Sequence, residues 1–127
     1  AQVAVEAPDS LVLPLRPDAL RRCLANLLEN ARKHARRIAV VVGEVPREVA
    51  ALERPAHRWA QVTVDDDGPG IPPSQREEAF RPFATLSTGG TGLGLAIARD
   101  IARAHGGDIV LEESPLGGLR ARVRLPV

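Results

Sequence analysis

The chain has 127 residues, a formal net charge of +1, and 44% hydrophobic and 26% charged residues, as expected of one ordinary globular domain. It lacks the concentrated basic charge of a nucleic-acid-binding protein, and its three aromatic residues (Trp59, Phe80 and Phe83) cannot form a base-stacking platform, so we expect no nucleic-acid partner. The single cysteine, Cys23, excludes an internal disulfide and is expected to be a small buried residue.

The first predicted helix lies within RPDALRRCLANLLENARKHARR, where Pro17 and Asp18 are typical of a helix N-terminus. Apolar residues with helical spacing form one face. These residues are Leu20, Leu24, Leu27, Leu28, Ala31 and Ala35. The opposite side carries a polar stripe of Asn26, Asn30, Lys33 and Arg37. Because asparagine lowers helix propensity, this stripe indicates a use other than helix stability.

Two runs of strand type follow, Ile38 to Val42 and Trp59 to Asp66, separated by a polar excursion that contains prolines. The second run leads into DDDGPGIP, which places Asp66 directly before Gly68 and Gly70. A carboxylate only accepts hydrogen bonds, so it suits a ligand with an exocyclic amine, as adenine and guanine have. An acidic turn or a divalent-ion cluster of residues 65 to 67 would have the same local sequence.

A helical turn at REEAF is followed by GGTGLGL, glycines that precede a second helix. Free N–H groups and the positive end of the helix dipole favour an anion there. A dinucleotide-binding fingerprint would need a strand directly before the glycines, which FATLSTGG is not, and no P-loop motif is present. We expect the helix to bury Leu93, Ile97, Ile101 and Ala104.

The C-terminal part predicts two antiparallel strands, DIVLEES and LRARVRLPV, joined by a turn at PLGG. The last strand alternates between two kinds of side chain. Leu119, Ala121, Val123 and Leu125 lie on one face, and Arg120, Arg122 and Arg124 lie on the other. The order of elements predicts a sheet covered on one face by helices.

The polar stripe offers a metal ligand. The amide oxygen of Asn30 suits Mg²⁺, which keeps several waters and bridges to phosphates. Lys33, one turn further on, would add positive charge against those phosphates. A pair of solvated or capping amides at Asn26 and Asn30 is the alternative.

Four motifs in this order, NLLENARKH, DDDGPGIP, REEAFRPF and GGTGLGLAI, resemble the N, G1, F and G2 boxes of the catalytic, ATP-binding domain of two-component sensor histidine kinases. The wider superfamily includes type II topoisomerases and certain chaperones. The resemblance extends from Leu15 to Pro126. It implies an α+β Bergerat fold, a two-layer α/β sandwich with a mixed, mostly antiparallel sheet covered on one face by about three helices. The stretches RCLANLLENA and RDIARAHGGDI further resemble osmosensor-type kinases.

The resemblance implies ATP and Mg²⁺ as cofactors. It makes Asn30 the metal ligand, Asn30 and Lys33 the catalytic residues, and Asp66 the acceptor for the adenine N6 amine. Phe80 and Phe83 would anchor the ATP lid. The expected ATP-binding residues are Asn26, Asn30, Lys33, His34, Asp66, Gly68, Gly70, Ile71, Phe83, Thr91, Gly92, Leu93, Gly94 and Leu95.

Asn26 bears on the type of reaction. The resemblance implies that relatives which hydrolyse ATP have a Glu at the corresponding position, four residues before the magnesium-binding Asn, and that this Glu acts as general base. An amide lacks that basicity, so we expect transfer of the γ-phosphoryl group to an external histidine nucleophile.

The expected domain covers residues 1–127 and is interpreted as part of a longer receptor. None of His34, His57 and His105 lies in the family's phosphoacceptor context, so the dimerisation domain that carries that histidine is expected outside this chain. That domain and a response regulator are the implied partners. We expect a cytoplasmic location, as part of an inner-membrane receptor, and no membrane contact by this domain itself.

Two departures from the family pattern leave alternatives open. The segment from Ala84 to Gly90, in the place of the ATP lid, is short and contains no Arg or Lys. The final turn keeps the family's glycine pair, Gly117 and Gly118, but has Leu119 where a hydroxyl residue is common. The alternatives are a nucleotide-sensing module without phosphoryl transfer, which the short lid favours, and an ATP-hydrolysing relative.

Overall fold

The structure is a computed structural model that describes residues 2–6, 17–45, 59–82 and 94–126. Its regular elements, in chain order, are β1 (Gln2–Glu6), α1 (Pro17–His34), β2 (Arg37–Glu44), β3 (Trp59–Asp66), two single-turn 3-10 helices (Pro73–Gln75 and Glu78–Phe80), α2 (Gly94–Ala104), β4 (Asp108–Glu113) and β5 (Leu119–Pro126). No helix in these four ranges is long and apolar enough to cross a membrane.

The five strands form one sheet in the order β1-β2-β3-β5-β4. Only β1 and β2 are parallel, and the other neighbours are antiparallel. The sheet is therefore mixed and mostly antiparallel, and the predicted α+β sandwich is confirmed. In the part of the chain that the structure describes, two α-helices accompany the sheet.

Both α-helices pack against the same face of the sheet. From α1, Cys23, Leu27 and Ala31 are each at most 2% exposed, so the predicted apolar face and the buried cysteine are confirmed. Asp18 in the first turn and Arg32 to His34 in the last turn complement the dipole of this helix. The sheet contributes Ile38, Val62, Val64, Ile109, Leu111, Leu119, Ala121, Val123 and Leu125 to the same core.

The prediction for the buried face of α2 was only partly right: Ile101 packs against the core, but the helix buries mainly other residues. Its buried residues are Leu95, Ala98 and Ala102, whereas Ala104 is exposed and Ile97 is only partly buried. Small residues allow the backbones of α1 and α2 to approach, and the Cys23 thiol donates to the carbonyl of Ala98 at 3.5 Å. The prediction followed the largest side chains, while close helix packing selected the alanines.

Two further features differ from the sequence analysis. Helix α1 ends at His34, and Arg37 opens β2, so Arg37 does not belong to the polar stripe of the helix. Strand β1 was not predicted. It pairs in parallel with β2 over five residues, and its Val3 and Val5 remain 49% and 68% exposed, so this pairing holds the strand more than burial of its side chains does.

The second face of the sheet is covered by arginine side chains from β5. Arg120 forms a two-pronged ion pair with Asp65 on β3, at 2.8 and 3.0 Å. Arg124 donates to the Gln61 side chain at 2.9 Å, and Arg122 lies 2.9 Å from a carboxylate oxygen of Glu112 on β4. The predicted alternation along β5 is confirmed: every second residue is buried against the helices, and the arginines lie across the other face.

Candidate functional site

Asp66 ends β3 in a buried position, with 5% of its surface exposed. Its Oδ1 accepts two backbone hydrogen bonds, from Gly68 N–H at 2.9 Å and from Leu119 N–H at 3.0 Å. The Asp66 carbonyl accepts a third, from Gly118 N–H at 3.1 Å. All the hydrogen bonds to this carboxylate within the described ranges fall on Oδ1. The side chain is held from both sides, and Oδ2 remains for another donor.

Glycines allow the segments around Asp66 to meet backbone to backbone. A Cβ at Gly118 would overlap Asp66 Oδ1 and lie 2.6 Å from Gly68 N, so no other residue fits there. A Cβ at Gly68 would lie 2.8 Å from the carbonyl oxygen of His34. Gly70 has a φ of 70° and faces the Gly118 carbonyl. The end of α1, the loop after β3 and the β4–β5 turn therefore converge on one carboxylate.

The three consecutive aspartates point to three different partners. Asp65 is paired with Arg120, and Asp66 holds the backbone of the glycine loops. Asp67 Oδ1 accepts the N–H groups of Arg37 and Arg36, at 3.0 and 2.8 Å, and these bonds lower the pKa of Asp67. The divalent-ion cluster considered for this triplet is wrong, since no three acidic, His or Cys side chains form a metal site within the described ranges.

The first residue of the polar stripe of α1, Asn26, lies beside the start of α2. Asn26 and Asn30 are half-buried and Lys33 is exposed. A Cβ at Gly94, the first residue of α2, would lie 3.8 Å from the Asn26 carbonyl oxygen. The Asn26 side-chain nitrogen is buried and has no hydrogen-bond partner among the described residues. A buried unpaired donor costs about 1 to 3 kcal/mol, so this atom calls for an acceptor from outside the described residues.

The remaining predicted residues divide into two groups. His34 is half-buried at the end of α1, Ile71 is half-buried against the core, and Leu95 is 8% exposed within it. Phe83, Thr91, Gly92 and Leu93 lie outside the described residues, as do the segment from Ala84 to Gly90 and His57.

Sequence analysis missed the residues that hold Asp66 from the far side. The backbone N–H groups of Gly118 and Leu119 bond to Asp66 across 52 and 53 positions of sequence. The glycine pair before Leu119 was the available signal. A backbone donor leaves no side-chain pattern, however, so this signal could not indicate its partner.

The sequence profile of the family described as histidine kinase-, DNA gyrase B-, and HSP90-like ATPase matches residues 15–127. The chain is 43% identical over 115 residues to the sensor histidine kinase GtrS of Pseudomonas aeruginosa, covering 89% of this chain and 22% of that protein. It is 44% identical over 128 residues to the sensor protein kinase CarS of the same species, covering 99% of this chain and 26% of that protein. It is 38% identical over 117 residues to the sensor histidine kinase CpxA of Escherichia coli, covering 87% and 23%. The chain thus spans about a quarter of the length of these relatives.

Solved structures give the same relationship. The mycobacterial sensor histidine kinase MprB superposes with a TM-score of 0.80 at 27% identity, over 98% of this chain and 80% of that one. The ATP-binding domain of PrrB from Mycobacterium tuberculosis superposes with a TM-score of 0.73 at 29% identity, over the same shares.

Proposed function

The chain belongs to the family of histidine kinase-, DNA gyrase B- and HSP90-like ATPases, and from this premise we propose that it is the catalytic domain of a two-component sensor histidine kinase. In this role it binds Mg²⁺ and ATP and donates the γ-phosphoryl group to a histidine on a separate dimerisation domain. A response regulator then receives the group. The domain works in the cytoplasm as part of a membrane receptor. The osmosensor subtype stays a prediction.

The arrangement of Asp66 is the observation that carries this proposal. Its Oδ1 is held by two backbone donors, so the carboxylate cannot turn, and Oδ2 is the oxygen left to accept from a ligand. The amine at N6 of adenine is a donor of the required kind. Gly68, Gly70 and Gly118 allow the backbone segments to pack closely around this carboxylate, which holds it in one position for a ligand.

The donor set near the start of α2 is suited to a triphosphate and its metal ion. No cluster of three acidic, His or Cys ligands occurs in the described ranges, so a divalent ion here would take most of its ligands from phosphates and water, as Mg²⁺ commonly does. Asn30 would supply the neutral protein oxygen, and the bound ion would neutralise charge on the phosphates. Lys33 is exposed on the same stripe and would contact phosphate.

Asn26 determines what this site does with the bound nucleotide. Its side-chain nitrogen is a buried donor with no partner in the described ranges, suited to a phosphate oxygen once the nucleotide is in place. It has no basic group to take a proton from water. A histidine of the dimerisation domain would instead attack the γ-phosphorus, the bond to the β–γ bridging oxygen would break, and ADP would leave. The role of this chain is to position the nucleotide and balance its charge.

A mixing experiment tests the proposal. The chain is incubated with ATP labelled at the γ-phosphate and with a dimerisation domain that carries the phosphoacceptor histidine. We expect acid-labile label on that domain, and at ATP concentrations below the Kd we expect much less label with Asn30→Ala or Asp66→Asn.

Two results would contradict the proposal. Normal ATP binding without transfer would identify a nucleotide-sensing module. Rapid release of labelled phosphate from the wild-type chain, lost in Asn30→Ala, would identify an ATPase. Arg103→Gln serves as the control variant because Arg103 is more than half exposed and contacts only Asp108 among the described residues.

A further inference from the structure

Arg99 joins α2 to the start of β4 and to the segment of residues 77–80. It lies in the middle of α2 and its side chain is only 12% exposed. The guanidinium donates to both oxygens of Asp108 at the start of β4, at 2.9 and 3.4 Å. A third nitrogen donates to Glu77 at 3.0 Å, and the central carbon lies 4.1 Å from the centroid of the Phe80 ring. No part of the proposed function uses these contacts.

The contacts of Arg99 differ in strength. The two-pronged bond to Asp108 is charge-assisted and geometrically specific, and a guanidinium over an aromatic ring adds a cation–π attraction. Burial lowers the pKa of Arg99, but the hydrogen bonds that it donates to Asp108 and Glu77 outweigh this effect and raise that pKa. Glu77 is 80% exposed, so its ion pair contributes little. The important contacts are therefore those to Asp108 and to the buried Phe80.

These contacts tie the middle of α2 to two neighbouring elements, in addition to its packing against α1. Asp108 holds the middle of the helix to the sheet, and Phe80 holds it to the 3-10 turn Glu78–Phe80. The start of the same helix lies against Asn26, where a Cβ at Gly94 would be 3.8 Å from the Asn26 carbonyl. A rotation of α2 about its middle would move Gly94 away from the polar stripe of α1.

We infer that Arg99 is a positioning residue, which sets the start of α2 against Asn26 and so shapes the phosphate end of the nucleotide site. This inference rests on the proposed function for its ligand. Arg99 does not touch the nucleotide. Its effect passes through the packing of α2 against Asp108 and Phe80.

Arg103 provides a matched control. It lies one turn later on the same helix and donates to the same Asp108, at 3.2 and 3.4 Å. It is 54% exposed and makes no contact with Glu77 or Phe80 in the described ranges. Arg99→Gln and Arg103→Gln thus remove the same charge and each remove a bond to Asp108. Only the first frees the 3-10 turn from the helix.

The experiment measures the Kd for ADP with Mg²⁺ by calorimetry, at a temperature where circular dichroism shows each variant fully folded. We expect Arg99→Gln to weaken binding about tenfold, within the range for mutations that act through packing, and Arg103→Gln to change it less than twofold. Arg99→Lys keeps the charge but loses the planar guanidinium that bonds to both oxygens of Asp108, so its Kd should lie between those of the two glutamine variants. The NMR signals of the Asn26 side-chain amide should shift in free Arg99→Gln and remain in place in free Arg103→Gln.

Several results would overturn the inference. These are wild-type affinity in folded Arg99→Gln, equal losses in the two glutamine variants, or an unmoved Asn26 signal. If the wild-type chain binds no nucleotide, the proposed function fails, and the Asn26 signal still decides whether Arg99 positions α2. If Arg99→Gln does not fold, Arg99→Lys and Phe80→Leu take its place in both measurements, with the same comparison against Arg103→Gln.

Discussion

Replacing Asp66 by asparagine should separate nucleotide recognition from folding. Asparagine has nearly the same shape as aspartate and keeps an oxygen that can accept from Gly68 N–H and Leu119 N–H, so both bonds to Oδ1 can persist. The second oxygen becomes an NH₂ group. Where the wild-type carboxylate offers an acceptor to the N6 amine of adenine, the variant would place a donor against a donor.

The expected loss follows from the kind of bond removed. A hydrogen bond to a charged group contributes about 1.5 to 3 kcal/mol, and each 1.4 kcal/mol is a factor of about ten in Kd. The affinity for ATP should therefore fall by about ten- to a hundredfold. The melting temperature should change little. Asp66→Ala, by contrast, would leave the N–H groups of Gly68 and Leu119 without their acceptor and should lower stability as well.

Calorimetric titration with two nucleotides gives the decisive assay. Inosine triphosphate carries a carbonyl oxygen in place of the N6 amine, so it should bind the wild-type chain poorly. In Asp66→Asn the new NH₂ group can donate to that oxygen, and the preference for ATP over inosine triphosphate should shrink or reverse. If a folded Asp66→Asn retained the wild-type preference, Asp66 would not read the base, and the assignment of this site to adenine would be refuted.

Three further perturbations have definite expected outcomes. Gly118→Ala should destabilise the fold by about 1 to 3 kcal/mol and weaken ATP binding, because its Cβ would overlap Asp66 Oδ1. Urea unfolding and calorimetric titration measure the two effects. Gly43→Ala is the control and should show neither effect, because a Cβ at Gly43 meets open space. Asn26→Glu should raise phosphate release by supplying a general base, and an unchanged rate in a phosphate assay would contradict that role. Burial raises the pKa of the Cys23 thiol from 9.0 to about 11, so the folded state holds its proton longer. The contribution of the protonated thiol to the free energy of unfolding should be fully present below pH 9. It should fall by about 2 to 3 kcal/mol towards pH 11, and Cys23→Ala should remove that decline.

Local patterns were sufficient for most of the fold. Strand β3 was predicted with its observed bounds, Trp59–Asp66, because period-two alternation and the following glycines are local signals. The two faces of β5 followed from the same rule. The buried face of α2 was predicted only in part, because its fully buried residues include Ala98 and Ala102, and the approach of α1 to Ala98 depends on the fold.

In the candidate site, too, the local features were predicted and the long-range contacts were not. The sequence indicated Asp66 and the glycines beside it, since a carboxylate at a strand end next to glycines is a pattern within a few residues. It did not indicate Leu119 N–H as the donor that fixes the carboxylate, since that contact depends on β3 and β5 lying side by side. Arg99 was also missed. An arginine on a helix is ordinary in sequence, and only the fold brings Glu77, Phe80 and Asp108 around Arg99.

The way Asp66 is held also connects ligand binding to folding. Its carboxylate is set in place by the β4–β5 turn, 53 residues further along the chain, so the oxygen proposed to receive adenine is oriented only once β5 has paired with β3. A chain in which that hairpin is undocked would keep α1 and its asparagines and still lack the base site. A nucleotide that binds only the assembled form must then stabilise the whole sheet, by about 2.7 kcal/mol at a hundred times its Kd. Amide exchange along β5, far from the phosphates, should slow when ADP is added. Protection confined to α1 and the loop after β3 would show that the base site forms without the hairpin.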